Sequence, residues 1–125
     1  MINFDFSGKR AVILGGSRGI GRGVVQMLTE AGAETIYASR KPMEIRTSAN
    51  YFPLDLNCES QISELFNSID LKGDLDIVVN TAAINFCKTI GQISSQEWSE
   101  VERINLKAAF LICKEASVRM KKQRS

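Results

Sequence analysis

The sequence predicts an α/β fold, a doubly wound parallel sheet of about four strands with flanking helices. Three observations predict it. Short apolar runs alternate with stretches of helical periodicity along the 125 residues. The strand-like runs are apolar at consecutive positions, as strands covered on both faces require. A glycine cluster, GGSRGIG at residues 15–21, falls where the first such run hands over to the first helical pattern.

Residues 10–14 (RAVIL) form the first strand and stop at Gly15 and Gly16. Residues 19–31 place Ile20, Val24, Met27 and Leu28 at helical spacings, and Gly32 supplies the stop. Residues 35–38 (TIYA) read as a second buried strand, closed by Arg40, Lys41 and Pro42. Residues 41–50 contain Pro42, Thr47, Ser48 and Asn50 and predict no helix. A third strand follows at residues 51–54 (YFPL), with Pro53 near its end. Beyond Asn57 or Cys58, a helix carries Ile62, Leu65, Phe66 and Ile69 as an apolar stripe. Asp74 and Asp76 flank the entry to a fourth strand, residues 75–79 (LDIVV). Ser94 and Glu97 form a capping box. The long helix after it has Trp98, Val101, Ile104, Leu111 and Val118 among its apolar positions, and ends on Lys121, Lys122 and Arg124. Crossovers of this kind predict a parallel sheet with helices on both faces.

Composition narrows the chemistry. With 44% apolar and 24% charged residues the chain is globular, and its length suits one core. Histidine is absent, which excludes His-dependent triads, His metal ligands and a histidine pH switch. Cys58, Cys87 and Cys113 lie 29 and 26 residues apart without a CxxC, so neither a thiolate zinc site nor any other metal is expected. Sparse, odd cysteines fit a reducing compartment, and no signal peptide or apolar run of roughly 18 residues occurs. A cytoplasmic location without membrane contact is expected. The formal charge is +2, but it is uneven: residues 1–102 hold 9 basic and 13 acidic groups, residues 103–125 hold 7 and 1. The basic end lacks the interleaved aromatics of a single-strand binder, so a solvated helix face is expected ahead of contact with another protein, and no nucleic acid is.

The glycine cluster carries the clearest chemistry. Gly15 permits a tight turn, Gly19 a close approach of backbone to a pyrophosphate, and Gly21 close packing of the helix start. The free amides of that helix supply phosphate donors. A purely structural turn is the alternative.

Read as Leu14-Gly-Gly-Ser-Arg-Gly-Ile-Gly21, the loop resembles the TGxxxGxG of the short-chain dehydrogenase/reductase family, with Leu14 in place of Thr. Residues 80–83 (NTAA) resemble the family's NNAG, with Asn80 and Ala82 matching and Thr81 and Ala83 departing. Asp55 and Leu56 resemble the acidic–apolar pair that holds the adenine, and Asn105 matches the Asn of the family's long helix. These motifs stand in family order along essentially the whole chain. Other roles remain open for three of them. Asp55 could start a turn with Asn57, and Asn80 could hold its neighbouring loop. Asn105, on an apolar helix face, calls for a partner or a kink.

The resemblance implies a truncated Rossmann-type domain over residues 1–125 that binds a nicotinamide dinucleotide and lacks the C-terminal catalytic half. Its cofactor residues would be Gly15, Ser17, Arg18, Gly19, Ile20, Gly21, Arg40, Asp55, Leu56, Asn80, Ala82 and Ala83, and its one catalytic residue Asn105. NADP is favoured over NAD. Where an acid would accept the ribose hydroxyls stands Ser39, followed by Arg40, and Arg18 adds a second guanidinium suited to a 2′-phosphate. The family reduces a carbonyl with a Tyr, a Lys and a Ser from later elements. Residues 37–41 (YASRK) fit YxxxK formally, but four extended steps in a strand separate the two groups by roughly 13 Å. The expectation is a carbonyl/alcohol oxidoreductase portion that is inactive alone. The alternative is a non-catalytic protein-interaction or nucleotide-sensing module. Expected partners are a complementary C-terminal half or a second copy, through the edge strand and a last helix that Leu106, Phe110, Leu111, Ile112 and Cys113 surround on more than one side.

Overall fold

The first apolar run becomes the centre of the molecule: β1 (Arg10–Leu14) is buried at every position. In the computed structural model, which describes residues 2–123, β2 (Glu34–Ser39) and β4 (Ile77–Asn80) flank it, and β3 (Asn50–Pro53) lies outside β2. All pairings are parallel, and the strand order is β3-β2-β1-β4. Met1, Arg124 and Ser125 lie outside the described residues, so the predicted basic helix end is described only at Lys121 and Lys122.

Helices cover both faces. On one, α2 (Glu59–Asp70) and α4 (Ala108–Gln123) bury Phe66, Leu65, Ile62 and Ile112 against Val12 and Leu14. Each such side chain contributes roughly 1.5–3 kcal/mol by leaving water. On the other, α1 (Gly19–Glu30) sets Val25 against Ala11, Ile13 and Tyr37. Residues 41–50 form no helix, as their composition predicts, and Met43 from this link closes the second core. Arg10 ties the layers together: its Nη1 donates to the carbonyls of Ile69 (3.2 Å), Gly73 (2.8 Å) and Asp74 (3.0 Å).

Several boundaries and faces differ from expectation. β3 starts and ends one residue earlier than residues 51–54, and Leu54 turns into the core. β4 is Ile77–Asn80 rather than residues 75–79, because the Leu75 amide and carbonyl are taken by the Gln123 side chain at 3.0 and 2.9 Å. In α1, Ile20 and Met27 are exposed, whereas Val25, absent from the predicted stripe, is buried. The cause is Gly21, which must lie against the backbone of Gly15, so the 21–25 row turns inward and Ile20 outward. The long helix is interrupted: α3 (Ser95–Glu102) joins α4 through a π-type turn at Arg103–Lys107. Its core face is Ile104, Ala108, Ile112 and Ala116, a four-residue row with two small residues that let the helix approach the sheet. Trp98 and Val118 are therefore exposed rather than core. The capping box forms as predicted, with Glu97 N donating to Ser94 Oγ (3.1 Å) and Ser94 N to Glu97 Oε2 (3.0 Å). Among the described residues no helix is long and apolar enough to cross a membrane.

Candidate dinucleotide site

Where β1 ends, the chain must reverse into α1 within a few residues, and glycine makes this turn possible. Gly15 and Gly19 have φ of 82° and 56°, in the left-handed region that side chains disfavour. Space separates their roles. A Cβ on Gly21 would stand 2.1 Å from Gly15 O, and one on Gly15 2.9 Å from Ala82 N. A Cβ on Gly19 would meet no protein atom within 4 Å. Gly15 and Gly21 are thus packed shut, while Gly19 faces open space. Thr81 locks this arrangement, its Oγ1 donating to Leu14 O (2.9 Å) and standing 3.3 Å from Gly15 O.

The start of α1 faces the same space. Its N-cap residue, Arg18, makes no side-chain cap, and no acid occupies the first turn. The first helical amides have no intrahelical acceptor, and with the helix dipole they form a site for an anion.

A cleft of about 800 Å³ opens here between the carboxyl ends of the strands. Gly15, Ser17, Arg18, Gly19, Ile20, Gly21, Arg40, Asp55, Leu56, Ala82 and Ala83 all line it. Asn80 does not; its Oδ1 accepts from Ala82 N at 3.1 Å and so shapes the wall instead. Asp55 lines the cleft and also starts a turn, accepting from Asn57 N at 2.9 Å. Sequence reasoning missed Lys41, Thr81, Ile84 and Ile104, which share the lining. For Lys41 the available signal was its place beside Arg40 at the end of β2. Ser39 Oγ donates to Lys41 O (2.6 Å), so the residue standing where an acid was sought orders the start of the link. Three cations, Arg18, Arg40 and Lys41, then face the cleft with Asp55 the one acid in its lining. A dinucleotide fits this donor set: free amides and a side-chain-free cradle at Gly19 for the pyrophosphate, with guanidinium groups at the start of α1 (Arg18) and just past β2 (Arg40).

Asn105 sits in the π-type turn and spends both ends of its amide on one loop residue. Its Oδ1 accepts from Ile84 N (2.9 Å) and its Nδ2 donates to Ile84 O (2.7 Å). It acts on the cleft through Ile84, which lines it. Both tyrosines are engaged elsewhere. Tyr37 OH accepts from Met43 N (3.0 Å), Tyr51 OH donates to Ser39 O (2.9 Å), and the ring centroids stand 5.2 Å apart. Burial, and then the neighbouring Tyr37, push the Tyr51 phenol upward against the opposing pull of the Ser39 bond.

Known proteins share this architecture. The short-chain type dehydrogenase/reductase of Picea abies is 32% identical, over 90% of this chain and 49% of its own length. The 3-oxoacyl-[acyl-carrier-protein] reductase FabG of Aquifex aeolicus is 30% identical, over 98% and 54%. A solved short chain dehydrogenase of Leptospira borgpetersenii, with bound NAD+, superimposes with a TM-score of 0.89 over 95% of this chain and 48% of that one. At 24% identity this is a likeness of fold. The chain spans about half the length of the curated relatives it matches. A model of the short chain dehydrogenase family matches residues 9–125. That match runs from just before β1 through the whole described length of α4, and the chain belongs to the short chain dehydrogenase family.

Proposed function

We propose that this chain forms the nucleotide-binding part of an NADP-dependent oxidoreductase acting on carbonyl or alcohol groups. The observation that carries the cofactor preference is the cluster of Arg18, Arg40 and Lys41 in the cleft lining, with Ser39 where a ribose-binding acid would stand. Guanidinium groups offer paired, charge-assisted donors to a phosphate, and an ammonium adds a point charge. The α1 amides hold the pyrophosphate, and Gly19 leaves the backbone bare for it. Asp55 and Leu56 take the adenine end, and Ala82, Ala83 and Ile84 wall the opposite side. When bound, the cofactor supplies the hydride. Asn105 positions that wall by fixing Ile84. No tyrosine lines the cleft, so the proton donor belongs to the part of the relatives' length that this chain does not match. The exposed thiols of Cys87 and Cys113 favour a reducing, cytoplasmic setting.

Fluorescence titration with NADPH and NADH tests the reading. Arg40→Ala should weaken NADPH by about 1.5–3 kcal/mol, roughly tenfold or more, and leave NADH nearly unchanged. Equal losses for both cofactors would remove the 2′-phosphate from this site.

A further inference from the structure

Arg40, Lys41 and Pro42 form an exposed bend after β2, yet the backbone around them is held at three points. Before the bend, Tyr51 OH donates to the Ser39 carbonyl (2.9 Å). Within it, Ser39 Oγ donates to the Lys41 carbonyl (2.6 Å). Beyond it, the buried Tyr37 OH accepts from the Met43 amide (3.0 Å). Pro42 removes further freedom, fixing its own φ and biasing Lys41 away from the helical region.

Both phenols come from one place. Tyr37 and Tyr51 are register partners on β2 and β3, with ring centroids 5.2 Å apart. Met43 is buried in the same core as Tyr37 and seats the far end of the bend. The rings fill the core, and the hydroxyls add a bond at each end of a segment whose cations, Arg40 and Lys41, line the dinucleotide cleft. An exposed bend carrying two long cationic side chains would otherwise be ordered only when a ligand arrives, at a cost in affinity.

From this we infer that Tyr51, with Tyr37, is a positioning residue for cofactor choice, holding the bend so that Arg40 and Lys41 meet a 2′-phosphate; this rests on the NADP reading of the cleft. A dinucleotide without that phosphate draws on neither cation and gains little from the anchors. Tyr51 separates this role from packing. The Ser39 carbonyl also accepts the Leu54 amide (3.0 Å), so Tyr51→Phe orphans no acceptor and keeps the ring contact.

Fluorescence titration of the full chain with NADPH and NADH tests the inference on three variants: Tyr51→Phe, the pair Arg40→Ala and Lys41→Ala, and all three substitutions together. Tyr51→Phe should weaken NADPH about threefold to tenfold and NADH less than about twofold, with unchanged far-UV circular dichroism. In the background lacking both cations it should change neither affinity, because the residues through which it acts are gone. A merely structural role would weaken both cofactors alike and persist in that background, and either result would overturn the inference. So would a Tyr51→Phe protein that binds NADPH like wild type while the double cation variant loses NADPH selectively; the NADP reading would then stand without it. Equal weakening of both cofactors on removing the cations, or a wild type that binds no NADPH up to about 1 mM, would overturn that reading and the inference together.

Discussion

Two glycines of one turn make opposite demands, and substitution separates them. A Cβ on Gly21 collides with the Gly15 carbonyl, backbone that cannot yield as a flexible side-chain tip can, and also with Thr81 Oγ1. Gly21→Ala should therefore destabilise the fold by about 3 kcal/mol or more, read as a lowered thermal midpoint. Gly19→Val meets open space and adds backbone strain of about 1–2 kcal/mol from its positive φ, yet should abolish NADPH binding by filling the cradle. Thermal unfolding and cofactor titration on both variants check the pair. A Gly21→Ala protein as stable as wild type, or a Gly19→Val protein that binds normally, would sink the respective assignment. Residues of this kind are legible in a sequence because a backbone conformation or a close approach dictates the residue type. Asn105 was legible on the same principle, as a polar group on an apolar face. Its partner, Ile84, was not, since the loop that carries Ile84 has no periodicity to place it. Thr81 shows the converse. It departs from the family pattern, but its hydroxyl bonds the Leu14 carbonyl and contacts that of Gly15.

At the scale of elements, periodicity located α1, α2 and the long helical stretch that holds α3 and α4, but fixed the rotation of only some. The α2 stripe of Ile62, Leu65, Phe66 and Ile69 is buried as read. In α1 two rows competed, and the packing of Gly21, which hydrophobicity does not register, decided between them. The start of α3 was legible because a capping box is a local device that needs no tertiary partner. Ser94→Ala should lower stability by about 1 kcal/mol. The box also predicts a pH dependence. The hydrogen bond from Lys88, then that from the Ser94 amide, hold the Glu97 carboxyl below its ordinary range. A depressed carboxyl contributes stability that is complete above its unfolded value and is lost as pH falls through its folded value. Denaturation midpoints between about pH 7 and pH 3 should thus fall less steeply for Glu97→Gln than for wild type, and added salt should narrow the gap. Parallel acid limbs would show that the Lys88–Glu97 contact contributes nothing.

For the whole molecule, the strand order leaves β4 with one unpaired side. Ile77, Val78 and Val79 are half-buried and apolar, and they pack toward both cores. Their backbone decides what the free side offers. Thr81 donates its N–H to Leu14 O, and Leu14 stands opposite Asn80 in the register. Alternation along the strand then turns Val79 toward β1 and leaves Val78 and Asn80 facing outward. An outer strand with apolar side chains and free amides is a template for another strand. The curated relatives are about twice as long as the span matched here. We propose that a complementary C-terminal half pairs along this edge. Hydrogen exchange tests this contact. In the chain alone, the amides of Val78 and Asn80 should exchange quickly and that of Val79 slowly, at the rate of the β1 amides. Co-expression with a polypeptide matching the C-terminal half of a family relative should slow Val78 and Asn80 selectively. If Val78 and Asn80 are already as slow as Val79 in a monomer, or gain nothing from the added half, the edge is not where the second half docks.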